Sequence, residues 1–130
     1  MNVLVQEIKQ CMSHLTETGE GKVTARFLFP EDFIGFQGHF SGRPILPGFC
    51  KIQAVVVILE TWHKKKVRLK EIVLAKFFSP VSCREELVFE CREQMENSKE
   101  VMVKALITST GKKIAKLQLR VSLEEEKQRA

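Results

Sequence analysis

No stretch of this chain is apolar for long enough to cross a bilayer. The longest aliphatic run, Ala54 to Leu59, is six residues, against the ~20 that a spanning helix needs. The four cysteines, Cys11, Cys50, Cys83 and Cys91, contain no C-x-x-C pair, which argues against both a zinc site and the disulfide framework of a small secreted domain. Reduced, mostly buried thiols are expected. No combination of side chains has metal-ligand spacing, and no cofactor is expected. No secretory signal is expected either, because Glu7 follows Met1–Gln6 with no basic opening and no long apolar core. There is no repeat, low-complexity segment or linker. The one shift in composition is Glu124–Ala130, read as a solvated tail. These absences lead to the expectation of a single domain over residues 1–130, soluble and cytoplasmic.

What is present is a globular composition. Of 130 residues, 44% are hydrophobic and 28% charged, with a formal net charge of +5. That balance favours an acidic partner, and charge alone leaves nucleic acid, anionic lipid and an acidic carrier protein open. No nucleic-acid reader motif and no interleaved exposed aromatics support the first of these, so no nucleic acid is expected.

The chain opens ambiguously. Val3, Val5 and Ile8 lead through Cys11 and Met12 to a turn-rich Thr16–Gly21, and Val23–Phe29 then alternates as a strand until Pro30. That reads as a hairpin, yet Val5, Ile8, Met12 and Leu15 also fit a helical stripe. The second half is plainer. Val67–Phe78, Leu87–Cys91, Val101–Thr108 and Ala115–Leu123 are four strands joined by short polar turns, an antiparallel meander with one buried face. Between the halves, Pro47–His63 is rich in β-branched residues but has a helix's length. Apolar nearly all round, such a helix must be buried on most sides. An α+β fold with a sheet enveloping a helix follows.

The loop before that helix, Phe36–Gly48, concentrates the information. Gly35, Gly38, Gly42 and Gly48 with Pro44 and Pro47 set an irregular backbone around one histidine, His39. The loop delivers into a helix N-terminus, where unpaired N–H groups can bind an oxygen carrying negative charge. A histidine beside such N–H groups is minimal equipment for removing a proton next to a carbonyl. On residues alone, a lone loop histidine bonded to a backbone carbonyl explains His39 as well. Cys50 beside His39 can be drawn as a nucleophile–base pair, but a buried cysteine is the better account. Glu60 lies too far along the helix to serve the same site, and His14 and His63 read as surface or capping residues.

Gly38–Gly48 spells G-H-F-x-G-x-P-x-x-P-G, which resembles the signature of the 3-hydroxyacyl-[acyl-carrier-protein] dehydratase family of hotdog folds. Ala75-Lys76-Phe77 and Pro80-Val81 extend the likeness, which covers most of residues 20–123. The resemblance implies a hotdog fold, an antiparallel sheet wrapped around one long central helix. It implies dehydration, or the reverse hydration, of 3-hydroxyacyl thioesters in fatty-acid or related lipid or polyketide synthesis. The catalytic histidine would be His39, and the oxyanion donor the backbone N–H of Gly48. The acyl chain would lie along the helix, making Phe33, Phe36, Phe40, Ile45 and Phe49 candidate wall residues against the plainer reading of core. The family places an acidic residue five positions past that glycine, contributed across a dimer; this chain has Gln53. An amide can orient a hydroxyl but is no ordinary general acid. The alternatives are therefore a thioester-binding module that does not dehydrate, or a thioesterase. The implied partners are an acyl-carrier protein or a coenzyme A thioester and a second copy of the chain, with a hexamer built as a trimer of dimers left open. Arg43, Lys64, Lys65, Lys66 and Arg68, with Lys70 near them, are the candidate carrier-docking cations, weighed evenly against a solvated face.

Overall fold

The computed structural model describes residues 2–36 and 45–124. In chain order these form α1 (Val3–Gln10), β1 (Met12–Gly19), β2 (Lys22–Phe27), a 3-10 turn (Ile34–Phe36), α2 (Gly48–His63), β3 (Lys66–Phe77), β4 (Leu87–Met95), β5 (Glu100–Ser109) and β6 (Lys112–Glu124).

Both readings of the opening segment are partly realised, in sequence. Asn2 caps α1, its carboxamide oxygen accepting from the N–H groups of Leu4 (2.9 Å) and Val5 (3.4 Å), a preferred residue in a stabilising role. The helix stops at Gln10 and a strand begins at Met12. Thr16–Gly19, expected as turn, continues β1 instead, because pairing of Thr16 with Thr24 and of Glu17 with Val23 outweighs local turn preference. The irregularity it brings is a register shift between Ser13 and Thr16, where His14 takes φ 54°.

One six-stranded sheet runs in the order β1-β2-β4-β5-β6-β3, every neighbouring pair antiparallel. Alternation puts Val101, Val103, Ala105 and Ile107 of β5 and Ala115, Leu117, Leu119 and Val121 of β6 on the inner face, all buried. β3 follows β6 with two register shifts, Leu69/Glu71 and Ile72/Leu74; such bulges bend a strand and increase its twist. The sheet's concave face receives α2, whose residues from Cys50 to Leu59 are buried apart from Gln53. Burying each Val, Ile or Leu there contributes about 1.5–3 kcal/mol, which overrides the strand preference of its β-branched run. This is the α+β hotdog arrangement. Glu124 belongs to β6 and pairs with Arg68 at 3.0 Å, so the solvated tail expected from residue 124 begins no earlier than residue 125, and residues 125–130 lie outside those described.

Candidate functional site

The start of α2 is held from two sides. The Leu46 N–H donates to Val81 O at 2.9 Å and Ile45 bridges Ser82, fixing the strand-like approach to the helix. On the other side, Phe27, Phe29, Phe33 and Phe36 form a row of rings with centroids 4.7–5.7 Å apart. Gly35 lets this row press on the helix: a Cβ there would meet Phe33 at 2.4 Å and the Cys50 sulfur at 3.0 Å. Gly48 is equally constrained, since its Cβ would stand 2.8 Å from Cζ of Phe77.

Pro47 is the N-cap, in extended conformation (φ −61°, ψ 148°), and no side chain caps the helix. Cys50 N–H donates to Pro47 O at 3.1 Å, while the N–H groups of Gly48 and Phe49 have no backbone acceptor among the described residues. Two donors without an acceptor among the described residues thus sit where the helix's partial positive charge is concentrated. They open beside a shallow cleft of about 390 Å³ lined by Gly48, Lys51, Phe77, Phe78, Ser79 and Pro80.

Of the residues singled out in the sequence, His39, Phe40 and Arg43 lie outside the described residues. Gly48 is the first residue of α2, as expected. Phe33 and Phe36 are core, whereas Phe49 is 55% exposed and Ile45 38% exposed, so these residues do not form a single wall. Gln53 is half-buried and shares a helix stripe with Phe49, Val56 and Glu60, the side of α2 least covered by this chain's own sheet. The Cys50 thiol is pushed up to about 11, chiefly by burial, which keeps it protonated and removes it as a nucleophile. Glu60 is occupied elsewhere, accepting from the Val67 N–H at 3.0 Å. His63, expected at the surface or as a cap, is part of a half-buried pair, Nε2 to Glu93 Oε2 at 2.6 Å, because β4 carries Glu93 under the end of the helix. Lys64, Lys65 and Lys66 are exposed, and Arg68 is paired with Glu124.

Two features went unseen in the sequence. Lys51 is buried, 3% exposed, inside an apolar helix; a cation interrupting the run Phe49–Leu59 was the available signal. In addition, Lys22, Arg92 and Lys104 stand side by side on the outer sheet face, brought together by the pairings of β2, β4 and β5. None of these three forms an ion pair with a described residue. Their separation along the chain hid this row.

An antiparallel sheet sheathing one central helix, which starts at a glycine whose N–H has no acceptor among the described residues, defines a protein of the hotdog class. Within that class the chain belongs to the ApeI-like dehydratase family, whose model, described as ApeI dehydratase, matches residues 15–118. It is 28% identical over 115 residues to the 3-hydroxyacyl-[acyl-carrier-protein] dehydratase FabZ of Ehrlichia chaffeensis, covering 74% of this chain and 76% of that protein. Among solved structures it is similar to the dehydratase heterocomplex ApeI:P from Xenorhabdus doucetiae, with a TM-score of 0.74, 15% identity and coverage of 85% of this chain and 96% of that one. A hypothetical thioesterase with coenzyme A from Streptococcus pneumoniae shares the fold at a TM-score of 0.67, 7% identity and 88% coverage of each chain.

Proposed function

We propose that this dehydratase acts on 3-hydroxyacyl thioesters, removing water to give the trans-2-enoyl thioester or adding it back. The observation that carries the reading is the pair of free N–H groups at Gly48 and Phe49, delivered by the G-H-F-x-G-x-P-x-x-P-G segment. In this account His39 takes the α-proton and the Gly48 N–H holds the oxygen on which negative charge builds. The β carbon–oxygen bond then breaks and the hydroxyl leaves as water, with the proton returned by the His39 imidazolium. Gln53 of the partner subunit orients that hydroxyl. One group thus serves as base and then as acid, the economy that an amide in place of a carboxylic acid imposes.

The reading includes a homodimer. β3 is an edge strand of 12 residues, and Ile72, Val73, Phe77 and Phe78 on or beside it are 40–51% exposed. An open apolar edge of that length suits pairing with a second copy. The exposed Lys64, Lys65 and Lys66 suit an acidic carrier protein. A cytoplasmic setting, which would keep the four thiols reduced, completes the reading. Thioester hydrolysis is less supported, as Glu60, the helix's one carboxylate, is bound to the Val67 amide.

The test is mass spectrometry of short and medium 3-hydroxyacyl and trans-2-enoyl thioesters on carrier protein and on coenzyme A, followed in both directions. Interconversion that vanishes in His39→Ala supports the reading. Intact thioester throughout, or free acid, contradicts it.

A further inference from the structure

Lys51 is the one charged side chain that is buried among the described residues. Its side chain is 97% buried by its 3% exposure, and its ammonium makes no hydrogen bond or ion pair with any described residue. It lies over the ring of Phe77, with Nζ 5.1 Å from the centroid, a contact that is weakly favourable to a cation. It also stands in the first turn of α2, where the helix's own partial charge is positive and repels it. Burial lowers its pKa from the ordinary lysine value, and the charge of the Glu85 carboxylate opposes that shift without reversing it. Glu85 is itself engaged, accepting from the Ser82 N–H at 3.2 Å. Desolvation and the helix dipole both disfavour a cation here; Glu85 offsets them only in part, and no described residue forms an ion pair with Lys51. A group held this way is disposed toward a negative charge that arrives from outside the chain.

The geometry specifies where. Residues three apart share a helix face, and helical side chains lean toward the N-terminus, so Lys51 reaches back over Gly48. The same Phe77 ring lies against the Gly48 Cα and under the Lys51 ammonium, and both residues line the cleft at the helix start. Gln53, two positions on, lies about 200° further round the axis and serves a different side.

We propose that Lys51 is the charged half of the carbonyl site: its ammonium shares the thioester oxygen with the Gly48 N–H as that oxygen becomes negative. The inference rests on the dehydratase reading. As the α carbon–hydrogen bond breaks, its proton goes to the base and its electron pair forms the enolate double bond, while the carbonyl becomes a carbon–oxygen single bond bearing the charge. Lys51 stays protonated throughout. The base then returns that proton to the β-hydroxyl as the enolate collapses: the carbonyl re-forms, the α–β double bond forms, the β carbon–oxygen bond breaks and water leaves. A cation at the enolate offsets a weak partner at the hydroxyl, where Gln53 offers no proton.

The experiment compares the full-length protein with Lys51→Met, which keeps the stem against Phe77 and deletes the charge, and with Lys51→Arg. Three quantities are read: melting temperature, deuterium uptake from D2O at C2 of a saturated acyl thioester lacking the β-hydroxyl, and kcat and KM for dehydration. For Lys51→Met we expect an equal or higher melting temperature, and exchange and kcat both reduced about 10²–10³-fold, the usual cost of one oxyanion donor. KM should move little, and Lys51→Arg should recover part of the rate. Unchanged exchange and kcat in Lys51→Met overturn the inference and leave the dehydratase reading standing. A wild-type protein that neither exchanges nor dehydrates removes that reading, and the inference with it. Failure of both Lys51→Met and Lys51→Gln to fold, with Lys51→Arg fully active, assigns the lysine to structure and also overturns it.

Discussion

The two ends of α2 are built on opposite principles. At the C-terminal end the four side chains from Glu60 to His63 each have a partner inside the chain. His63 pairs with Glu93, the Trp62 indole donates to Glu17 at 3.0 Å, the Thr61 hydroxyl donates to Val57 O at 2.8 Å, and Glu60 receives the Val67 N–H. Lys64 closes the helix in the left-handed conformation (φ 55°). At the N-terminal end two N–H groups have no acceptor among the described residues, no side chain caps the helix, Phe49 is exposed, and a buried lysine forms no ion pair with a described residue. Internal satisfaction marks the end that holds the fold together. On the proposed reading, groups left without a partner mark the end that meets a ligand.

That contrast breaks most sharply at the histidine that precedes the open end. His39→Ala should cut turnover by at least the ~10²–10⁴-fold typical of acid–base assistance while leaving the melting temperature in place, checked by the thioester assay and thermal unfolding. Gln53→Glu sharpens it in the other direction: a restored acid should raise the dehydration rate by up to ~10²-fold, measured as initial rate of enoyl thioester formation. At the closed end the pattern inverts. Glu93→Ala strips His63 of its partner and should cost about 1–3 kcal/mol in a denaturant titration with kcat unchanged.

The smallest effect is a pH dependence. Burial pushes the Cys50 thiol up to about 11 and Cys91 to about 12, from an ordinary value of 9.0. The native state therefore holds these protons more tightly than the unfolded chain. The stabilisation is complete below pH 9 and is lost as pH rises through 11 to 12, visible as a falling denaturation midpoint in alkaline buffer. Native protein should accordingly label slowly at both thiols with iodoacetamide at pH 8, read by peptide mass spectrometry.

How legible each part was follows from how local its cause is. The β5–β6 alternation is written in consecutive residues, so those strands and their buried faces were readable. The length of Pro47–His63 revealed α2 despite its valines, because burial outweighs propensity there. Residues 3–19 satisfy two periods at once, and pairing with β2 decided between them. The glycine start and its free N–H groups were anticipated from the loop motif. Lys51 was passed over because a buried, unpaired lysine is a tertiary fact: it needs Phe77, brought in by β3, to form the cleft. The His63–Glu93 pair and the Lys22–Arg92–Lys104 row join residues far apart in sequence, and no local pattern announces either.

The most direct measurement of which end does the chemistry is a 1H–15N NMR titration of the protein with a non-hydrolysable 3-hydroxyacyl thioester analogue. The account predicts the largest downfield movement at the amides of Gly48 and Phe49, as their free N–H groups acquire a carbonyl oxygen, with the amides of Thr61 to Lys64 unmoved. Shifts concentrated at the C-terminal end of α2, or no response at Gly48 and Phe49 at saturation, would contradict it.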